Sequence, residues 1–320
     1  MQLARKIIGA ELQLFEEKFA STMTSDLVLL DRIMSDIIAH KGKQMRPMFV
    51  LLCARLCGEI GEASYRAALL VEILHTASLV HDDMIDDAMK RRSAFSVNAL
   101  WKNRVSVSVG DQLFTKGVLL ALDNNEPELL KIYSSAIQQM IEGELLQMTK
   151  SNKLSFEEKD YYDLIHAKTA SFLAAACAAG AASASGTPEM VQLIHDFGQK
   201  TGMAFQLKDD LFDYGNADVG KPTGNDIKEK KVTLPLIYTV KQADPVLRRK
   251  ILHIVKHEYT DKDKVNFVIG EVKRLGGLQY AEGKMMAFRD EAIEILYRFP
   301  ESPARSALEE LVRYTTDRAY

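Results

Sequence analysis

Two stretches of the chain carry the same pattern of acids. Asp82, Asp83 and Asp86 sit in HTASLVHDDMIDDAMKRR, and Asp209, Asp210 and Asp213 repeat their spacing in KDDLFDYG. Val71, Leu74, Leu79 and Ile85 recur at three- and four-residue intervals before and within the first triad, which reads as a helix running through Arg92. On a helix the outer acids of each triad stand one turn apart on one face, with the middle one beside them. Carboxylates crowded in this way repel one another and need cations. Hard oxygen donors that leave room for water and phosphate oxygens suit Mg²⁺ better than a softer metal. A single such cluster reads most simply as the solvated end of an acidic helix. Two of them, each on an apolar helix, read as two jaws of one metal site.

Cations follow the acids. Lys90, Arg91 and Arg92 come directly after the first triad, as surface ion pairs worth little or as a phosphate clamp suited to the arginine fork. Lys43 and Arg46 flank the start of a helix entered through Pro47, which is a natural anion site; two solvated cations is the plainer alternative. Glu144 and Gln147 lie toward the end of the helix that begins near Glu128, and Lys168 and Thr169 open a helix of small residues. The segment after the second triad, GNADVGKPTGNDIKEKKV, carries Lys221, Lys228, Lys230 and Lys231, and its Gly and Pro content marks a mobile loop. His253 and His257 are spaced like a metal pair, but with no third ligand they read as a solvated helix face.

The elements that must position these residues are helical almost throughout. Two helices are expected before His40, another starting near Thr233, and amphipathic helices from 240 to 320. No run alternates long enough for a sheet. With 320 residues and no linker or low-complexity tract, the chain is expected to form one domain. A net charge of −3 gives no basic face, so nucleic acid is not an expected partner. Three cysteines are too few for a disulfide scaffold, and the start reads as an amphipathic helix, not a signal peptide. The uncharged run from Thr169 to Pro188 is about long enough to span a bilayer. Its Ala, Ser and Gly content is weak driving force for lipid and suits close helix packing better. A soluble, cytoplasmic protein is expected.

Taken together, GKxxRP, HxxxxxxDDxxDxxxxRR, Lys168-Thr169, FQxxDDxxD and GKPxGxD make the chain resemble the trans-isoprenyl diphosphate synthases from about residue 40 to 240. The resemblance implies an all-α fold, a single large helical bundle of the isoprenoid synthase type with a central cavity, usually homodimeric. It also implies joining isopentenyl diphosphate head-to-tail to an allylic diphosphate. Asp82, Asp83, Asp86, Asp209, Asp210 and Asp213 would hold about three Mg²⁺ ions on the allylic diphosphate. Arg91, Lys168, Thr169, Gln206 and Lys221 match contacts to that diphosphate. Lys43, Arg46, His75 and Arg92 match the isopentenyl diphosphate site, and Lys231 a lysine near the allylic phosphates. Gln44, Ser93 and Lys208 depart from the family pattern, and no closing role is expected of the C-terminal DRAY.

In this family an aromatic four or five residues before the first aspartate closes the product tunnel early. Here Ala77 and Ser78 are small, which moves the floor toward Leu74 and Val71, with Ile137 and Met140 as further candidates. The implied product is an all-trans polyprenyl diphosphate of about C30–C40, for quinone side chains, released through transient contact with a membrane surface. A shorter product, a terpene cyclase and a non-catalytic prenyl-diphosphate-binding subunit stay open as alternatives.

Overall fold

Helical periodicity along nearly the whole chain becomes sixteen α-helices among the described residues. The computed structural model describes residues 1–40, 42–91, 94–151, 157–215 and 224–318. These form two compact units, each visited more than once by the chain. Unit 1 comprises Met1–Ser134, Ala175–His195 and Phe299–Glu310; unit 2 comprises Ser135–Ala174, Asp196–Arg298 and Leu311–Tyr320.

Unit 1 opens with three helices where two are expected: α1 (Gln2–Ile7), α2 (Gly9–Thr22) and α3 (Val28–Ala39). The extra break falls at Ile8, whose φ of −121° and ψ of 30° leave the helical region. Next come α4 (Met45–Cys57) and α5 (Glu62–Ile85). From Met48 to Ala54 every residue of α4 is buried, and α5 is buried on nearly every side from Ala67 to Leu74. A helix apolar all round belongs inside a core, and these two form the centre of the unit. α6 (Val97–Asp123) runs beside α5 and is broken at Lys102 (φ 67°, ψ 168°). A two-residue ladder, β1 (Lys90–Arg91) with β2 (Ala94–Phe95), joins α5 to α6. The helices α7 (Pro127–Ser151), α9 (Ser171–Ser183) and α10 (Pro188–Phe212) each contribute to both units.

In unit 2, α8 (Glu158–Ile165) continues through a π-turn at His166–Ala170 into α9. The short α11 (Asn225–Lys228) leads to α12 (Leu234–Gln242), which starts after Thr233 as expected. α13 (Pro245–His257), α14 (Lys262–Arg274) and α15 (Gly277–Leu296) follow, and α16 (Pro303–Asp317), which contributes to both units, completes the amphipathic C-terminal third. Valines and isoleucines of α12, α13 and α14 form one core cluster, and Tyr161, Met203, Leu207, Ile237 and Met285 belong to another. His253 and His257 are exposed side by side on α13, their rings 5.1 Å apart. Two stretches, Val97–Asp123 and Glu158–Ser183, are long and apolar enough to cross a membrane, and the most apolar window of the second is 67% buried in the fold.

The small-residue helix α9 earns its composition at Gly180. A Cβ placed there would lie 2.3 Å from the carbonyl oxygen of Val50, a backbone atom that cannot step aside. Gly180→Ala should therefore cost about 2–3 kcal/mol, while Gly9→Ala, which meets nothing within 4 Å, should gain up to about 1 kcal/mol. Thermal melts of both variants check this, and a Gly180→Ala protein as stable as wild type would contradict the close approach.

Candidate active site

The first triad sits at the end of α5, and that helix stops earlier than its sequence suggests. Asp86 caps it, and Asp87 takes the left-handed conformation (φ 49°) that usually falls to glycine or asparagine. The Ala88 N–H returns to the Asp83 carbonyl (2.9 Å) and the Asp87 N–H to that of Met84 (3.4 Å), closing a Schellman turn. The reversal brings β1 back along the helix, so the expected helix through Arg92 is replaced by a hairpin. Arg91 then reaches Asp83: its Nε donates to both carboxylate oxygens at 2.7 Å, and Nη2 stands 2.6 Å from Oδ1. Asp83 is 4% exposed, whereas Asp82 is half-buried and Asp86 exposed. The middle acid is thus the buried one, held by Arg91.

In the second triad, at the end of α10, the middle acid is again the buried one, and all three acids have partners within the protein. Asp210 is buried, taking a hydrogen bond from the Tyr161 hydroxyl (2.6 Å) on Oδ2 and from Gln206 Nε2 (2.9 Å) on Oδ1. Thr169 in turn donates to Gln206 Oε1 (2.7 Å), so Thr169, Gln206, Asp210 and Tyr161 form one chain of bonds. Asp213 accepts the backbone N–H groups of Asn225 (2.8 Å) and Asp226 (3.1 Å), tying the end of α10 to the start of α11. Asp209 is paired with Arg318. Burial pushes the Asp210 carboxyl up to about 6 and also raises Asp213. Asp226 goes up to about 7, through burial first and then the repulsion of Asp210 and Asp213.

A cavity of about 290 Å³ in unit 2 gathers Lys168, Thr169, Gln206, Asp210, Asp226 and Lys231. Lys168 reaches it from the π-turn, where Ser171 N–H bonds to the His166 carbonyl, five residues back. Its ammonium donates to Gln147 Oε1 (2.7 Å) and pairs with Glu144, both on α7. A second cavity, about 330 Å³, lies in unit 1 and is lined by His75, Asp83, Arg91, Trp101 and the apolar faces of α2 and α3. Lys43 and Arg46 flank the N-terminus of α4, as expected, but line neither cavity. Val71, Leu74 and Ala77 are buried in the unit 1 core, Ser78 is half-buried, and none of the four borders either cavity. Arg92 and residues 216–223, Lys221 among them, lie outside the described residues.

Among the described residues no three acids, imidazoles or thiols converge closely enough to enclose a metal unaided. Magnesium asks for less: one or two carboxylates, with water and substrate phosphates filling its octahedron. Carboxyls already raised by burial and mutual repulsion are the groups a cation would relieve. The residues therefore fit a metal that arrives with an anion rather than one held in a pre-built cage.

The sequence model of the family described as Polyprenyl synthetase matches residues 28–272. The chain belongs to the polyprenyl synthetase family. It is 34% identical over 289 residues to the octaprenyl diphosphate synthase of Escherichia coli K12, covering 89% of each protein. It is also 34% identical to the geranyl-diphosphate-specific all-trans-nonaprenyl-diphosphate synthase of Rhodobacter capsulatus, covering 92% of this chain and 91% of that one. A polyprenyl synthase of Caulobacter crescentus CB15, solved with calcium and isoprenyl diphosphate, superposes with a TM-score of 0.92 at 31% identity. That match covers 100% of this chain and 98% of the other.

As a polyprenyl synthetase the chain holds site residues that its motifs did not single out. Asp226 is the final letter of GKPxGxD, so its signal was present. Tyr161 and Arg318 had none, because each meets its aspartate across a long stretch of chain. The raised Asp226 gives a pH test. A carboxyl lifted from 3.8 to about 7 costs the fold nothing while protonated in both states, below about pH 4. The cost grows as pH rises and is complete above about 7. Asp226→Asn should therefore stabilise the metal-free polyprenyl synthetase at pH 8 by about 2–4 kcal/mol and change it little at pH 4. Calorimetry of the chelator-treated protein across that range checks the sign, and a gain independent of pH would contradict it.

Proposed function

We propose that this polyprenyl synthetase condenses isopentenyl diphosphate head-to-tail with an allylic diphosphate, making an all-trans polyprenyl diphosphate of medium to long chain. The observation that carries this is the convergence of Lys168, Thr169, Gln206, Asp210 and Lys231 on one cavity. Breaking the allylic carbon–oxygen bond places negative charge on the departing diphosphate, and cations fixed there favour the transition state over the ground state. About three magnesium ions, bound through the aspartates of both triads, would supply most of that charge.

The chain's own side chains do the rest. Lys168, braced by Glu144 and Gln147, Lys231 and Thr169 meet the allylic diphosphate, with Arg91 and Lys221 in the same role. Lys43, Arg46, His75 and Arg92 take the isopentenyl diphosphate. The released diphosphate, the base that the family resemblance implies, takes the proton lost from the adduct.

In this reading the enzyme is cytoplasmic and homodimeric, with transient membrane contact at product release. The dimer is supported by α6, where Val107, Phe114 and Leu122 expose apolar side chains about two turns apart. The physiological use of the product would be a quinone side chain.

Asp82→Ala and Asp209→Ala should each lower the rate roughly 100-fold or more while leaving the fold intact. Steady-state kinetics of folded variants with isopentenyl and farnesyl diphosphates measure this, and near wild-type turnover in either would sink the two-triad reading. Product length gives an independent test. Ala77→Phe should stop elongation about one helical turn below the aspartates, and Leu74→Ala should lengthen or broaden the products. Chromatography of dephosphorylated products decides; unchanged lengths from Ala77→Phe would remove this face of α5 as the floor.

A further inference from the structure

The last described residue of the chain, Arg318, is anchored on α10 of unit 2. Its N–H donates to the Tyr314 carbonyl (3.3 Å) and its Nε to that of Thr315 (3.2 Å), so the final turn of α16 fixes its direction. The guanidinium lies 4.3 Å from the Phe205 ring and 5.3 Å from that of Phe212, and Nη2 pairs with Asp209. Phe205, Asp209 and Phe212 stand at i, i+4 and i+7, one stripe of the helix. The arginine side chain is 15% exposed and the carboxylate 40%. The cation is therefore largely covered, while the acid keeps a solvent-facing side.

We propose that Arg318 is a resident counter-ion of the second triad, holding Asp209 while metal is absent and yielding that carboxylate when metal arrives with diphosphate. The proposal rests on the second triad being a metal site. A guanidinium paired with Asp209 neutralises a carboxylate that stands next to the buried Asp210 in the same triad. Metal entry then becomes an exchange of cations rather than an addition. By linkage, whatever factor metal takes from the Arg318 contact, Arg318 takes from metal affinity. A half-exposed ion pair is worth up to about 1 kcal/mol, or roughly fivefold in a binding constant.

The test is a Mn²⁺ titration of the full chain in inorganic diphosphate, read by the electron paramagnetic resonance of free Mn²⁺. Arg318→Gln should bind Mn²⁺ about three- to fivefold more tightly than wild type. Lys208→Gln controls for charge alone: this lysine is next to Asp209 in sequence but lies over the Phe212 ring at 5.2 Å, and its loss should shift affinity less than twofold. A second readout uses trypsin, which must take the Arg318 side chain to cut before Ala319. Cleavage after Arg318, followed by mass spectrometry, should be slow without metal and faster with Mn²⁺ and diphosphate. In Asp209→Asn it should be fast in both conditions. Equal Mn²⁺ affinity in Arg318→Gln and wild type, an equal gain in Lys208→Gln, or metal-independent cleavage of wild type would each overturn the counter-ion role. Failure of wild type to bind Mn²⁺ with diphosphate at all would instead overturn the metal-site reading beneath it.

Discussion

An ionised carboxylate removed from water must be met by donors, and this chain meets that demand at the centre of each aspartate triad. Asp83 is answered by a charged fork, all three contacts coming from Arg91 at 2.6–2.7 Å. Asp210 is answered by two neutral groups, the hydroxyl of Tyr161 and the amide of Gln206. The local backbone follows from these pairings. Arg91 can reach back only because α5 stops at Ile85 and reverses through Asp87. Tyr161 can reach across only because α8 packs its buried face on α10 through Ile165, Met203 and Leu207.

The different donors give the triads different electrostatics. A guanidinium cancels charge outright, whereas a phenol and an amide merely solvate it. The unit 2 acids accordingly remain raised, with Asp226 adding its own repulsion to Asp210 and Asp213. In the metal-free protein that tension is a standing cost to stability, and a bound cation converts it into affinity. The same feature therefore weakens the empty fold and strengthens the loaded one, the usual relation between stability and function at a charged site.

Much of this was legible in the sequence, and the remainder was hidden for physical reasons. Helix periodicity located α4, α5, α10 and the C-terminal helices, since burial of an apolar face leaves a periodic trace. The acids, Lys168, Thr169 and Gln206 were visible through spacing and residue type. The end of α5 was not, because its terminator is an aspartate in a left-handed turn where a glycine would have been the signal. Tyr161 and Arg318 act over 49 and 109 residues of intervening chain, and no local pattern encodes such pairs. Glu144 and Gln147 were seen but given no role, as their partner Lys168 sits on another helix.

The π-turn at His166–Ala170 makes the length of the chain, rather than its composition, the quantity under constraint. Consecutive residues of an ordinary helix point about 100° apart, yet Lys168 and Thr169 both border one cavity, alongside Tyr161 and Ile165 from the preceding turns. The wider turn accommodates one residue more than an α-helical turn would. Deleting a residue ahead of Lys168 in this turn would restore regular winding and carry Lys168 and Thr169 to new angles about the helix. Substitutions in this segment can drift one at a time. An insertion or deletion cannot, because it would separate the hydroxyl of Thr169 from Gln206 and leave Asp210 short of the bond chain that orients it.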